Sequence, residues 1–201
     1  SVIIKSLGSS FNEMNSNTKL SSSSIETNKY ILEADEIDYN ENKMIYEAYN
    51  NIRLKIKDSD YYIFGNSGIY DSNKKITKIY DEPLLKKHIE KDTFYLSSDT
   101  ILAYGDDNSI SVIKAFNNVK FYRNEFIGKS DSIKFDLEDS TITMFNDPIV
   151  WSGKNQITSD TISFILTNNN IEEMNLVKNS FIISEDTLKN FNQIKGRKMK
   201  A

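Results

Sequence analysis

The chain has 201 residues, a formal net charge of −4 at pH 7 and no cysteine, which excludes disulfides and thiolate metal sites. Its mean hydropathy is −0.51, and no window approaches the roughly 18–20 uninterrupted apolar residues that a membrane-spanning helix requires. Lysines are scattered among aspartates and glutamates and form no basic face, so nucleic acid is not an expected partner.

The N-terminal segment differs in texture from the rest of the chain. Residues 8–28 are rich in Ser, Asn and Thr with few apolar residues, a composition typical of flexible connectors. From Lys29 onward, short runs alternate apolar and polar residues between clusters of Asn, Asp, Gly and Ser, which predicts strands and turns. We therefore divide the chain into a flexible connector, 1–28, and a strand-rich region, 29–201, whose pattern continues up to the C-terminus.

A short phrase recurs through this region with a nearly fixed period. Copies include "LEADEIDYN", "LSSDTILAY", "GKSDSIKFD" and "ITSDTISFI". The marker positions of the phrase are Asp35, Ser67, Asp99, Asp131 and Asp160, with steps of 32, 32, 32 and 29 residues. A second phrase follows half a period later, as in "NNIRLKI", "EPLLKKH", "NNVKFYR" and "DPIVWSG". A repeat of roughly 32 residues predicts stacked units that cannot bury their apolar faces singly.

Alternation within each phrase predicts which side chains face the interior. Period-two patterning over many segments indicates antiparallel sheets with one dry face and one wet face. Helical signals are weak, with "SEDTLKNFN" (184–192) the one candidate for a capped helical turn. The pattern predicts an all-β fold, and we expect the interior to be lined by Ile37, Tyr39, Ile52, Leu54, Ile69, Leu84, Ile101, Val119, Phe121, Ile133, Phe135, Ile149, Trp151, Ile162 and Phe164.

Candidate catalytic and metal-binding residues have simpler interpretations. The recurrent Asp forms a ladder along the repeats and not a carboxylate pair, and Asp at a strand entrance suits turns. "YGDDNS" (104–109) lacks a full set of calcium ligands and is read as a hairpin turn. His88 is the single histidine, no Gly-flanked serine accompanies it, and it is expected at the surface. We predict no catalytic residue, no metal site and no cofactor.

The apolar face is the feature that suggests a function. If two sheets stay splayed along one edge, they leave an apolar trough, and an acyl chain in it gains about 0.8 kcal/mol per buried CH₂. Lysines such as Lys55, Lys57, Lys120 and Lys129 could surround the mouth of such a cavity and meet anionic groups. Alternation alone does not distinguish an open trough from a closed core.

Two long segments resemble a known family. "AFNNVKFYRNEFIGKSDSIKFDLEDSTITMFNDPIVWSGKNQITSDTISF" (115–164) and "FIISEDTLKNFNQIKGRKMKA" (181–201) are similar to OstA-like proteins, which include the LptA-type proteins of lipopolysaccharide transport. "AYNNIRL" and "GNSGIYDSNKKIT" resemble recurring phrases of the same family. The likeness extends over about residues 30–201 and is greater to the long, multi-repeat members.

The resemblance implies a twisted, open-ended β-jellyroll of antiparallel strands and a non-enzymatic role. It implies a periplasmic conduit or scaffold in a Gram-negative bacterium, with the acyl chains of lipopolysaccharide held in the apolar interior. The implied partners are lipid A acyl chains, other β-jellyroll transport proteins of the inner and outer membranes, and further copies of the chain added head to tail.

Two other interpretations stay open on sequence alone. One is a polysaccharide-binding or polysaccharide-cleaving β-solenoid or sandwich, for which the aromatic candidates are Tyr61, Tyr62, Tyr122 and Trp151. The other is a purely structural repeat segment with a closed core and no ligand.

Overall fold

A computed structural model describes residues 3–14, 16–57, 59–90, 92–106 and 109–200. These residues form eighteen strands and, within those ranges, no helix. In chain order the strands are β1 (Ile3–Lys5), β2 (Gly8–Asn12), β3 (Asn17–Glu26), β4 (Tyr30–Asn40), β5 (Ile45–Ile56), β6 (Tyr61–Asp71), β7 (Ile76–Tyr80), β8 (Leu84–Ile89), β9 (Asp92–Ser97), β10 (Thr100–Gly105), β11 (Ile110–Arg123), β12 (Phe126–Asp136), β13 (Thr141–Phe145), β14 (Ile149–Ser152), β15 (Asn155–Thr158), β16 (Thr161–Thr167), β17 (Asn170–Glu185) and β18 (Phe191–Lys200).

The strands pair antiparallel throughout, and the long ones contribute to two layers. β5, for example, pairs through 45–49 with β6 residues 67–71 and, after a register shift, through 52–55 with β6 residues 62–65. Shorter strands occupy one layer each, so β7 pairs with the first half of this neighbour and β8 with the second. The all-β antiparallel jellyroll predicted from the sequence is confirmed.

Layer 1 and layer 2 are named by their segments. Layer 1 comprises 8–12, 17–21, 36–40, 45–49, 67–71, 76–80, 100–105, 110–116, 132–136, 141–145, 161–167, 170–177 and 198–200. Layer 2 comprises 3–5, 24–26, 30–33, 52–56, 61–65, 84–89, 92–97, 119–123, 126–130, 149–152, 155–158, 180–185 and 191–196. One 32-residue repeat therefore supplies two segments to each layer.

The chain passes between the layers along one side, here called the corner edge. Its bends contain pairs of residues in the left-handed region, where β-branched residues are strained and Asn is tolerated. These pairs are Asn50–Asn51, Asp81–Glu82, Asn117–Asn118, Asn146–Asp147 and Lys178–Asn179. They open the second sequence phrase, so that phrase marks a sharp bend between layers.

Two rows of apolar side chains run across the strands and face each other between the layers. The layer-2 row is Ile25, Leu32, Leu54, Ile63, Leu85, Leu96, Phe121, Gly128, Val150, Ile157, Ile182 and Ile194. The layer-1 row is Leu20, Ile37, Ala48, Gly68, Ile79, Ile101, Ala115, Ile133, Met144, Ile162, Leu176 and Met199. Most members are almost fully buried, so the repeats share one continuous core.

Gly128 is the one member of the layer-2 row without a side chain, and its neighbour explains why. A Cβ atom added there would lie 2.3 Å from Cε1 of Phe121. The Phe121 ring covers this position, so the row stays continuous without a side chain on Gly128.

The structure differs from the prediction in the N-terminal segment and near residue 186. Within the segment expected to be a flexible connector, residues 3–5, 8–12 and 17–26 are strands. Leu20 and Ile25 are buried, because the two apolar residues of this Ser-rich stretch extend both core rows. The expected helical turn is instead a hairpin loop, in which the backbone N–H of Asn190 donates to the Asp186 carboxylate at 2.8 Å.

Candidate functional site

Opposite the corner edge, hairpins end both layers and leave an edge here called the mouth. It is bounded on layer 1 by hairpins 41–44, 72–75, 137–140 and 168–169, and on layer 2 by hairpins 27–29, 124–125 and 153–154. No strand of the described residues crosses between the layers on this side. The interior is therefore covalently closed at the corner edge and bounded only by side-chain contacts at the mouth.

Aromatic rings from the two layers meet just inside the mouth. Tyr30 of layer 2 packs edge to face on Tyr70 of layer 1, with ring centroids 5.9 Å apart. Farther along, Phe135 of layer 1 contacts Tyr61 and Phe94 of layer 2, at 6.4 and 5.9 Å. Such contacts are each worth about 0.5–1.5 kcal/mol beyond area burial. These ring contacts join the two layers at the mouth, where the described strands form no backbone pairing between layers.

A further cross-layer contact extends this aromatic zone toward the C-terminal repeats. Phe126 of layer 2 packs edge to face on Phe164 of layer 1 at 5.5 Å, and it also contacts Phe121 at 5.3 Å. The aromatic contacts thus recur along the length of the mouth.

Cavities lie along the mouth on either side of these rings. Two of them have volumes of about 400 and 290 Å³. The first lies between hairpin 137–140 and the side chains of Lys57 and Ser59, and the second between hairpins 27–29 and 72–75. A smaller pocket of about 50 Å³ lies deeper, lined mainly by Phe94, Phe121, Ile133 and Phe164. The mouth is therefore a partly open apolar slot above a packed floor.

Two cations stand among these apolar side chains. Lys87 pairs across the sheet with Tyr61 and Phe94, and its Nζ lies 4.6 Å from the centroid of the Tyr61 ring. Burial lowers the pKa of the Lys87 ammonium; Asp60 opposes this and Arg123 adds to it. The same burial raises the pKa of the Tyr61 hydroxyl.

Arg123 links the two layers across the mouth. Its Nε donates to the Asp92 carboxylate at 2.8 Å, and its Nη1 donates to the backbone carbonyl of Asn169, in a layer-1 hairpin, at 3.0 Å. The hydrogen bond from Arg123 holds the pKa of the Asp92 carboxyl below its ordinary value. Arg123 is therefore a clasp between layers that is held in place by Asp92.

The recurrent aspartates lie at the corner edge, far from the mouth, and act as hydrogen-bond acceptors. Side-chain amides of neighbouring bends donate to them: Asn51 to Asp35 at 2.6 Å, Asn118 to Asp99 at 2.9 Å, Asn146 to Asp131 at 3.0 Å and Asn179 to Asp160 at 2.9 Å. In the second repeat the donor and acceptor are exchanged, since Asn66 donates to Glu82 at 3.5 Å. The structural interpretation of the phrase fits this ladder, and the equivalent marker in that repeat is Asn66, not Ser67.

Eleven of the fifteen predicted lining residues have inward-facing side chains. Ten are buried: Ile37, Ile52, Leu54, Ile101, Val119, Phe121, Ile133, Phe135, Ile162 and Phe164. Tyr39 lies half-buried near the mouth, stacked on Tyr46 at 4.3 Å. The structure gathers these residues from four repeats into one interior.

The other four predicted lining residues face outward, so the predicted alternation was wrong at these positions. Ile69 pairs with Glu47 and Lys78. Leu84 and Ile149 each precede a fully buried neighbour, Leu85 and Val150.

Trp151 is the fourth. It lies beyond Val150 on the outer face, and its Nε1 donates to Gln156 at 3.1 Å.

The proline-containing copies of the second phrase explain two of these differences. Pro83 and Pro148 are buried at the inward position that follows each left-handed pair, where Ile52 and Val119 stand in the other copies. Counting alternation from the proline places Leu85 and Val150 inward. The bend also isolates the proline from central pairing, where its missing N–H would leave a carbonyl without a partner.

Sequence reasoning missed the partner strands of each phrase. Ile63, Leu96, Ile113, Ile157 and Leu176 are all buried and lie opposite phrase residues in the pairing register. The signal was available as alternation in segments such as "YYIFG" and "FYLSS".

Other candidate residues lie outside the slot. His88 is exposed and its Nδ1 contacts the Thr93 hydroxyl at 3.2 Å. Of the predicted mouth lysines, Lys57 lines the cavity of about 400 Å³, whereas Lys120 and Lys129 are exposed on the outer face. In "YGDDNS", Asp106 and Ser109 exchange backbone and side-chain hydrogen bonds, and Asp107 and Asn108 lie outside the described residues.

The aromatic residues proposed for a glycan face do not form one surface. Tyr61 is buried in the interior, whereas Tyr62, Tyr122 and Trp151 belong to an outward row on layer 2. That row interleaves Lys86 and Ile127 and holds no carboxylate between these rings. Nothing in this arrangement favours carbohydrate cleavage.

Within the described ranges, no group of three or more His, Cys, Asp or Glu side chains is arranged to hold a metal ion. The described part of the chain likewise contains no helix with the length and apolarity to cross a membrane.

The fold and the slot define a class of protein: an antiparallel two-layer β structure, closed at one side and open at the other, with an elongated apolar interior. Residues 88–170 match the model of the family described as LptA/(LptD N-terminal domain) LPS transport protein. The match covers less than half of the chain, and over these residues it confirms the resemblance inferred from the sequence.

Other comparisons add little. No significant match was found among curated proteins. The crystal structure of LptH, described as the LptA homologous periplasmic component of the conserved lipopolysaccharide transport device from Pseudomonas aeruginosa, aligns with 96% of this chain and 94% of its own. Its sequence identity is 6% and its TM-score is 0.31, and a likeness this distant supports no argument about fold or function.

Proposed function

We propose that the chain is a non-enzymatic component of lipopolysaccharide transport in the periplasm of a Gram-negative bacterium, and that it holds acyl chains between its two layers. The observation that carries the proposal is the mouth, where aromatic rings and cavities lie above two apolar rows that cross all the repeats. The match of residues 88–170 to a lipopolysaccharide-transport family supports the choice of lipid.

The eleven inward-facing residues predicted from the sequence, together with Leu85 and Val150, are the proposed lining. The deepest of them, such as Leu54 and Ile162, are fully buried against the opposite layer. We therefore propose that acyl chains first contact the rings of the mouth, at Tyr61, Phe126 and Phe135, and reach the deeper rows only as the layers separate. Each buried CH₂ contributes about 0.8 kcal/mol.

A photoreactive residue tests this arrangement. We expect p-benzoylphenylalanine in place of Phe126, which faces the mouth, to give a light-dependent crosslink to lipopolysaccharide in cells. Phe145 provides the matched control, since it is an aromatic residue on the outer face with 36% exposure. Equal crosslinking at 126 and 145, or none at 126 in a folded protein, would contradict the proposed lipid position.

We also propose that the terminal edges join other β-jellyroll transport proteins or further copies of the chain. Among the described residues, β18 pairs only with β17, and the layer-2 row ends there at Ile194, which is 57% exposed. Strand addition at such an edge would cover that row and satisfy unpaired backbone groups.

Sedimentation at increasing protein concentration tests the edge proposal. Ile194→Lys should abolish concentration-dependent assembly because it places a charge in the row to be covered. Exposed Lys198 of the same strand gives a control, Lys198→Ala, which should assemble normally. Assembly that persists in Ile194→Lys would exclude this edge as the contact.

A further inference from the structure

The cavity of about 400 Å³ at the mouth has different kinds of side chain at its rim and at its floor. Its floor is apolar and includes Ile56, Phe135 and Leu166. Its layer-2 rim carries three lysines, Lys29, Lys57 and Lys87, and its layer-1 rim carries hydroxyl and amide groups: Ser109, Ser140, Thr141, Asn168 and Asn169. The chain has a net charge of −4, whereas the described residues of this rim include more lysines than carboxylates.

Among the described residues, the carboxylate that lines this cavity, Asp136, is already paired. Asp136 accepts from Lys134 Nζ at 2.8 Å. Lys57 is likewise paired, with Glu26 at 2.7 Å. Lys87 differs, because the ion pairs of the described residues do not include it.

Lys87 also lies where the cavity of about 400 Å³ meets the deeper pocket of about 50 Å³. It lines both spaces and faces the interior between Tyr61 and Phe94. An ammonium group at such a place loses part of its hydration, and the Tyr61 ring and the charge of Asp60 offset this only in part. A chain that only needed a closed core would be served better by an apolar side chain.

We propose that Lys87, with Lys57 and the donors of the layer-1 rim, forms a subsite for the phosphate group of a phosphorylated lipid, seated where the head group leaves the apolar interior. The inference rests on the proposed function, since the acyl chains of the same lipid occupy the space below. Lysine ammonium and hydroxyl donors suit a phosphate, which offers several acceptor oxygens. The volume of this cavity, about 400 Å³, is within the usual range of ligand pockets.

Binding of two matched lipids tests the subsite. The probes are hexa-acylated lipid A bearing two phosphates and the same lipid with both phosphates removed, in micelles of one neutral detergent. We expect the wild-type chain to bind the phosphorylated form about tenfold more tightly, as for one or two charge-assisted hydrogen bonds. Lys87→Met, which keeps the apolar stem, should remove most of that preference while it binds the dephosphorylated lipid normally.

Lys129→Met is the matched control, because Lys129 is exposed on the outer face of layer 2, and it should keep the full preference. Thermal unfolding of Lys87→Met should show no loss of stability, since the change removes a partly desolvated charge. A preference retained in Lys87→Met, or lost equally in Lys129→Met, would overturn the assignment.

The wild-type result separates this inference from the proposed function. Equal binding of both lipids would overturn the phosphate subsite alone, whereas binding of neither would overturn the lipid-binding function as well. Inorganic phosphate distinguishes the source of the anion: we expect millimolar phosphate not to displace the lipid. If phosphate alone binds as tightly as the phosphorylated lipid, the site belongs to free phosphate and the head-group assignment is wrong.

Discussion

The corner edge and the mouth are built from the same repeats but differ in what holds them. At the corner edge the backbone itself joins the layers, left-handed residue pairs set each bend, and Asp–Asn hydrogen bonds connect one bend to the next. At the mouth the described residues of the two layers meet through aromatic rings and through the Arg123 side chain, which reaches a backbone carbonyl. One side is thus joined by the backbone and the other by side chains.

This difference distinguishes residues that stabilise the fold from residues that can contact a ligand. Opening the mouth disrupts ring contacts of modest energy, whereas opening the corner edge would break the chain's main pairing. Substitutions near the corner edge and in the deep rows should therefore change stability most, and substitutions at the mouth should change ligand exchange most.

The largest effect is expected for Leu85→Ala, which tests whether the layer-2 row forms the core of the fold. Leu85 is fully buried, so its truncation should lower the free energy of unfolding by about 2–5 kcal/mol. Leu84→Ala is the matched control on the outer face, and it should lower it by less than about 1 kcal/mol. Urea unfolding measures both, and similar losses at 84 and 85 would contradict the assignment of faces.

The next effect is expected at the corner edge. Asn118 has a positive φ of 53° and donates to Asp99. Asn118→Ala loses the hydrogen bond and keeps a Cβ in the left-handed region without the short polar side chain that lets Asn adopt it, whereas Asn118→Gly loses the hydrogen bond and also removes the Cβ. The alanine variant should be less stable than the glycine variant by about 1 kcal/mol. If alanine is the more stable of the two, strain at this bend is not what selects Asn.

A smaller effect on stability, but a local effect on motion, is expected at the mouth. Arg123→Gln removes the ion pair with Asp92 and the link to Asn169, and it should lower stability by about 1 kcal/mol or less. Hydrogen exchange in hairpin 168–169 and its flanks should become faster. Lys134→Gln breaks a pair within one strand and should leave this exchange unchanged. Unchanged exchange in Arg123→Gln would show that the clasp does not hold the mouth.

The smallest effect is a dependence of the clasp on pH. Hydrogen bonding to Arg123 lowers the pKa of Asp92 below 3.8 in the folded chain, so the pair contributes stability above that pH. This contribution is lost as the pH falls through the lower pKa of the folded state. The difference in unfolding midpoint between the wild type and Asp92→Asn should therefore be present at neutral pH and disappear in strong acid. A constant difference at every pH would exclude the ion pair as its cause.

The sequence determined the strand-and-turn texture, the repeat of about 32 residues and most of the inward-facing residues, because alternation reports burial directly wherever a strand is regular. It failed at Leu84 and Ile149, because Pro83 and Pro148 occupy the inward position before them and these apolar residues stand at the outward position that follows. It failed again at residues 17–26, because Leu20 and Ile25 gain their burial only from neighbours in the finished layers.

Only the tertiary structure decided what the apolar face encloses. The phrase at each bend shows that the chain turns, but not that every bend lies on one side and every hairpin on the other. That arrangement leaves one edge of the interior without backbone, and it brings Arg123 to Asn169 and Phe126 to Phe164 across it. These contacts join residues about 40 positions apart, and no local pattern of apolar and polar residues contains them.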